Sequence, residues 1–220
     1  QPTAEVEAIE THISFVLVAG DFAYKFKRAI NPGFLDFTTL ALRRHFCHEE
    51  LRLNRRLAPD LYLDVVTVHG TPDAPSLGGS GPVIDCAVRM RAFAQEGLWD
   101  REIVRGALQA RHIDELVELL FSFHRDAAVA GAESRSGDPE QVRAPLRDSL
   151  AALDGLLHGD ADHARVHALQ AWESAAGAAL EPVFMQRHRD GRIRECHGDL
   201  HLGNVTQIDG KATVFDCIEF

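Results

Sequence analysis

The chain has 220 residues, a formal net charge of −10, 45% hydrophobic and 25% charged residues, which is the balance of a globular protein with one or two cores rather than a disordered or fibrous one. No apolar run approaches the ~18 residues of a membrane span, and no secretory signal pattern is present. We therefore expect no membrane partner and a cytoplasmic location; the acidic balance disfavours nucleic acid.

The acidity is uneven. Residues 1–93 carry 10 Lys and Arg against 11 Asp and Glu, whereas residues 94–220 carry 13 against 22. An acidic second half suits a cationic small-molecule partner, and equally suits solvated helix faces. The four cysteines (Cys47, Cys86, Cys196 and Cys217) lack disulfide-framework spacing and read as reduced thiols.

In chain order, strands are expected at Ser14–Ala19 and Ala23–Lys27. Alternation places Phe22, Tyr24 and Phe26 on one face of the second strand and Ala23, Lys25 and Lys27 on the other. A helix follows from about Leu40 to Leu57, then strands at Leu61–Val68 and Val83–Met90 separated by a Gly-, Ser- and Pro-rich loop from Pro72 to Pro82. A helix around His112–Ala128 carries Ile113, Leu116, Val117, Leu120 and His124 on one stripe, a core-facing pattern. Residues 130–145 read as a loop. A long helix then runs through about Val166–His188, with Trp172 and Leu180 on its buried side.

The most specific segment is near the C-terminus: His197-Gly198-Asp199-Leu200-His201-Leu202-Gly203-Asn204, followed by Val214-Phe215-Asp216. Between them, Val205–Ile208 and Lys211–Val214 flank Asp209-Gly210, a strong two-residue hairpin signal. With that pair as the turn, Val205 faces Val214 and Asn204 faces Phe215. Asp216 then lies diagonal to Asn204, within about 7–8 Å by Cα. An amide oxygen and a carboxylate so placed suit Mg2+, and Asp199 on the entering loop approaches the same space.

These residues resemble the catalytic loop of the aminoglycoside phosphotransferase and kinase-like family, His-Gly-Asp-x-His-x-Gly-Asn. Ala23-Tyr24-Lys25 resembles the Ala-x-Lys of the third kinase strand, and the N-terminal third is similar to a bacterial branch often joined to a C-terminal P-loop ATPase domain. The resemblance implies an α+β, protein-kinase-like bilobal fold, with a small β-rich N-lobe over 1–92 and a partial, mainly helical C-lobe over 93–220. It implies ATP and Mg2+ as cofactors, Asp199 as catalytic base, and Asn204 and Asp216 as metal ligands. Lys25 would contact nucleotide phosphates and pair with a helix glutamate. Glu49 is the expected partner, because Leu53 and Leu57 follow at i+4 and i+8; Glu50 is the alternative, as Lys27 is for Lys25. Met90 to Phe93 would form the hinge beside an adenine edge.

The implied activity is ATP-dependent phosphoryl transfer to a hydroxyl of a small molecule, such as a cationic amino sugar. The alternative is a nucleotide-binding regulatory module for a fused or partner P-loop ATPase, and a third class is a metal-dependent hydrolase using His197, Asp199 and Asp216. One departure stands out: no glycine precedes Gly20, so Thr11-His12-Ile13-Ser14 occupies the place of a glycine-rich phosphate loop. His197 and His201 are expected to organise the loop, Glu219 to support the metal from behind, and His124 to be a core residue. His45-Phe46-Cys47-His48 is not expected to bind zinc, since its side chains diverge on a helix. Gln1 in place of methionine, and Phe220 only four residues beyond Asp216, lead us to expect part of a longer polypeptide.

Overall fold

The computed structural model describes residues 6–33 and 35–219; residues 1–5, Phe34 and Phe220 lie outside the described residues. The fold is α+β. Its main sheet has six antiparallel strands: β1 (Val6–Glu10), β2 (Ser14–Ala19), β3 (Phe22–Lys27), β4 (Tyr62–Thr71), β5 (Ala74–Leu77) and β6 (Val83–Arg91), in the order β1-β2-β3-β6-β4-β5. The β2–β3 register sets Val16 opposite Lys25 and Val18 opposite Ala23; Lys25 in turn faces Val88 of β6.

Alternation along these strands builds a different layer on each face. On one, Ala23, Cys86, Val88 and Met90 form a core with Cys47 of helix α1 (Leu40–Asn54). On the other, Phe26 stacks on Phe15 at 4.8 Å between ring centres and packs with Val68 and Ala87. Lys25 therefore projects from the face that α1 covers. Thr39 caps that helix by accepting a hydrogen bond from the Leu42 amide at 3.2 Å.

A second core joins Leu57 to Trp99 at the start of α2 (Trp99–Val104), Phe123 of α3 (Ala110–Asp126), and the hairpin of β7 (Val205–Ile208) and β8 (Lys211–Val214). Burying an aromatic or aliphatic side chain of this kind contributes about 1.5–3 kcal/mol. The hairpin has the expected register, Val205 opposite Val214 and Ile208 opposite Lys211. Its turn residues sit at positive φ, Asp209 at 50° and Gly210 at 75°, the geometry that a two-residue turn between right-twisted strands demands.

The chain divides into two compact units: one runs up to Arg125 and includes the stretch from His197 onward, and the other is Asp126–Cys196. The boundary expected at residue 92 thus lies inside the first unit, because Phe93, Ile208 and Phe215 pack on the same core as the sheet. In the second unit, α4 (Pro139–Leu156) lies against α5 (Asp160–Arg189).

Several expectations are corrected. The loop expected over 72–82 contains edge strand β5, and the loop expected over 130–145 gives way to α4 at Pro139, since proline at the first helical position starts a helix rather than breaking one. On α3 the core face is Leu116, Leu119, Leu120 and Phe123; Ile113, Val117 and His124 are exposed. On α5, Trp172 is 63% and Leu180 45% exposed. The buried positions there are Val166, Glu173 and Gly177, a seam of small and polar residues rather than large apolar ones. Arg143 of α4 binds Glu173 at 2.7 Å, and its guanidinium occupies the space a side chain at 177 would need, with Nε only 2.1 Å from where a Cβ would lie.

Candidate functional site

The site is built where β3, α1 and the segment after β8 meet. Lys25 Nζ is 2.9 Å from Glu50 Oε1 and hydrogen-bonds Asp216 Oδ1. Two residues along the same strand face, Lys27 binds the other Glu50 oxygen and also Glu219. Glu50 and the Lys27 amine are both shut off from solvent, whereas Asp216 keeps 43% of its side chain exposed.

Glu49, the expected partner of Lys25, faces away and pairs with Arg52 at 2.8 Å. The physical reason is where the helix ends. Of the two leucines in line with Glu49, only Leu53 belongs to the helix and it sits at the edge of the buried face; α1 stops at Asn54 and Leu57 lies in the turn beyond. The buried residues of the helix are Arg43, Cys47, Glu50, Leu53 and Asn54; Glu50 follows Cys47 at i+3 and precedes Asn54 at i+4, which places it at the centre of that face.

Electrostatics favour the charged forms of Lys25, Glu50 and Asp216. Burial opposes the charge on Lys25, but Asp216 and Glu50 outweigh it and raise its pKa well above the ordinary lysine value. Burial likewise works against ionised Glu50, and Lys25 and Lys27 outweigh it and lower its pKa. The carboxyl of Asp216 is also lowered, burial being overcome by Lys25. Glu219 goes the other way: burial dominates and raises it. The two lysines thus face Glu50 and Asp216, whose ionised forms are favoured, with Glu219 as a third carboxyl beside Lys27.

The segment carrying Asp216 is fixed from several sides. Asp216 has φ of 61°, unusual for a residue with a side chain, and its amide donates to the Tyr62 hydroxyl at 3.2 Å. His197 Nε2 donates to the Phe215 carbonyl at 2.9 Å, and its Nδ1 accepts from the Asp199 amide at 3.3 Å. Those two bonds select one neutral tautomer, and burial lowers the His197 pKa in agreement. One imidazole therefore ties the Asp199 loop to the Phe215–Asp216 backbone.

Asn204 is 7% exposed. Its Nδ2 donates to the Asp199 carbonyl at 2.9 Å, and its own carbonyl accepts from the Phe215 amide at 3.0 Å. The side-chain Oδ1 is left as a potential ligand. Asn204 Oδ1 and the Asp216 carboxylate are hard oxygen donors of the kind Mg2+ takes. The Asp199 carboxylate is 56% exposed and has His201 Nε2 at 3.6 Å.

Beside the cluster lies a cleft of about 140 Å³. Val16, Ala23, Met90, Phe93 and Phe215 give it apolar walls, and Lys25 and Asp216 also line it. Phe93 and Phe215 meet edge to face at 5.2 Å between ring centres. Asp199 and Asn204 are not among the lining residues; Asn204 bonds the backbone of Phe215, which does line the cleft, and Asp199 is tied to it through Asn204 and His197. Tyr62 and Asn54 were not singled out in the sequence. Asn54 stands one turn after Glu50 on the buried stripe of α1, a signal that only a correctly phased helix reveals.

Among the described residues, no helix is long and apolar enough to cross a membrane. No family model matches the chain. Over 219 residues it is 29% identical to proteins of Mycobacterium bovis and of two strains of Mycobacterium tuberculosis whose descriptions read "uncharacterized protein". The match covers 98% of this chain and 42% of each relative, so the chain spans less than half the length of the relatives it matches.

Proposed function

We propose that the chain carries the nucleotide and metal residues of an ATP-dependent phosphotransferase of protein-kinase-like, bilobal architecture, acting on a hydroxyl of a small molecule. The observation that carries this reading is Lys25: one amine joins a buried helix glutamate to Asp216 at the wall of an apolar cleft.

In this reading the purine lies between the apolar walls of the cleft, beside the Met90–Phe93 segment. Glu50 holds Lys25 extended toward the phosphate oxygens, where its charge offsets that of the nucleotide. Asn204 and Asp216 would hold Mg2+, which supplies charge neutralisation between the phosphates. Asp199 orients the acceptor hydroxyl and takes its proton. His197 keeps that loop in register with Asp216 through its two hydrogen bonds. The acidic composition of the second half favours a cationic acceptor.

A second reading has its own support. Thr11 and Ser14, in the turn between β1 and β2, bond each other: Thr11 Oγ1 lies 2.8 Å from Ser14 Oγ and accepts from the Ser14 amide at 3.0 Å. Those hydroxyls are spent within the turn rather than offered to a phosphate. That suits a module that binds nucleotide weakly and regulates a fused or partner P-loop ATPase.

The test is calorimetric titration of the chain with ATP, with and without Mg2+, followed by transfer assays with amino sugars, choline-like amines and simple polyols. Magnesium-dependent ATP binding that is lost in Lys25→Ala, together with acceptor-dependent ADP release, supports the phosphotransferase. Binding without transfer supports the regulatory module. Absence of ATP binding in the parent chain rejects both.

A further inference from the structure

Away from this cluster, the helical unit holds a second convergence of polar side chains. Asp154 sits in the last part of α4, and His163 and His167 are one turn apart near the start of α5. The helices are joined by only residues 157–159, so the connection itself brings these positions together. His163 Nδ1 is 2.8 Å from Asp154 Oδ1, His167 Nε2 is 3.4 Å from Asp154 Oδ2, and ligand atoms of all three residues lie within 4.8 Å of one another.

We infer that Asp154, His163 and His167 form a binding site for a divalent transition-metal ion of the zinc type. A tetrahedral ion with bonds of about 2.0–2.1 Å holds its donor atoms roughly 3.3–3.4 Å apart. The His167–Asp154 separation of 3.4 Å matches that value, the 2.8 Å between His163 and the other carboxylate oxygen is a hydrogen bond that an ion would replace, and all the ligand atoms lie within 4.8 Å of one another. The donor set, two imidazoles and one carboxylate, selects zinc, cobalt or nickel over magnesium and calcium, which prefer all-oxygen shells. The i, i+4 spacing presents both rings on one helix face. The side chains of Asp154, His163 and His167 are 29%, 35% and 61% exposed, so an ion has access and a fourth position stays open to water. The bound ion would clip the end of α4 to the start of α5.

The competing arrangement is a metal-free aspartate shared by two histidines, and metal titration separates the two. Nucleotide-free protein is titrated with Zn2+ by calorimetry and with Co2+ by visible absorption. The expected result is one equivalent bound, with the intense visible band of four-coordinate cobalt. Affinity should fall at least ~10-fold in His163→Ala, His167→Ala and Asp154→Asn, each checked for a native circular dichroism spectrum, and should be unchanged in a His45→Ala, His48→Ala double variant. Lack of a stoichiometric site, or a site that survives the loss of both His163 and His167, overturns the inference. Because nucleotide is absent throughout, the outcome is independent of the phosphotransferase reading.

Discussion

Asn54 grips the backbone of Cys217, 163 positions away, with both ends of its amide: Oδ1 accepts from the Cys217 N–H at 2.8 Å, and Nδ2 lies 3.4 Å from the Cys217 carbonyl while also donating to the Glu50 carbonyl at 3.0 Å. The helix that supplies Glu50 thereby also holds the residue after Asp216. Replacing Asn54 by Ala removes its hydrogen bonds to the buried backbone of Cys217 and Glu50, a cost of about 1–3 kcal/mol. Chemical denaturation should show that loss, and magnesium-dependent ATP affinity should weaken with it. A variant as stable as the parent would show that the grip is incidental.

The neighbouring glutamates should behave very differently. Glu50→Ala removes the carboxylate shared by two lysines, leaving Lys25 only Asp216 and Lys27 only Glu219, and should destabilise by up to about 3–5 kcal/mol, the usual cost of breaking a buried pair. Glu49→Ala removes only a surface pair with Arg52 and should change stability by less than about 1 kcal/mol. Urea titrations of the two variants check this. Similar losses in both would contradict the phasing of α1.

Protonation of His197 should cost stability. Its folded pKa lies below the unfolded value of about 6.5, so between the two pKa values the unfolded state binds more protons. The stabilisation is complete above pH ~6.5 and is lost as pH falls through the lower, folded pKa. Unfolding free energy measured from pH 8 to 5 should decline in the parent and decline less in His197→Gln. An imidazole proton resonance of His197 titrating at or above 6.5 would also refute the neutral assignment.

Within the proposed reaction, Asp199→Ala should lower phosphoryl transfer by roughly 10²–10⁴ while nucleotide binding survives. Asp216→Ala should weaken magnesium-dependent ATP binding more than Asn204→Ala, because a carboxylate brings charge and an amide only a dipole. Thermal-shift titrations with ATP and Mg2+ read the second comparison, and single-turnover transfer reads the first. An equal loss of nucleotide affinity in Asp199→Ala would remove it from the role of base.

How much of this was legible in the sequence differed by element. The 205–214 hairpin was fixed by local chemistry, since Asp-Gly supplies the positive φ that the turn needs. Strand alternation likewise put Lys25 and Lys27 on one face. The choice of glutamate was not legible, because a single-residue error in phase at the end of α1 exchanges the buried and exposed carboxylates. The α5 seam was hidden for another reason: an arginine–glutamate pair and a glycine do what apolar residues usually do, so Trp172 and Leu180 gave a false stripe. Asp154, His163 and His167 come together only because two helices fold back on each other, and His-x3-His was the one available hint.

The chain contains only three lysines, and two of them are committed to Glu50. Lys211, exposed at the tip of the hairpin, is the third. Almost all the positive charge that meets solvent is therefore arginine, and an amine-directed label such as an activated ester would find one ready lysine. Acylation spreading from Lys211 to Lys25, and only later to Lys27, would time the opening of the cluster residue by residue. A chemical footprint of the intact chain can thus follow the breathing of its most protected region.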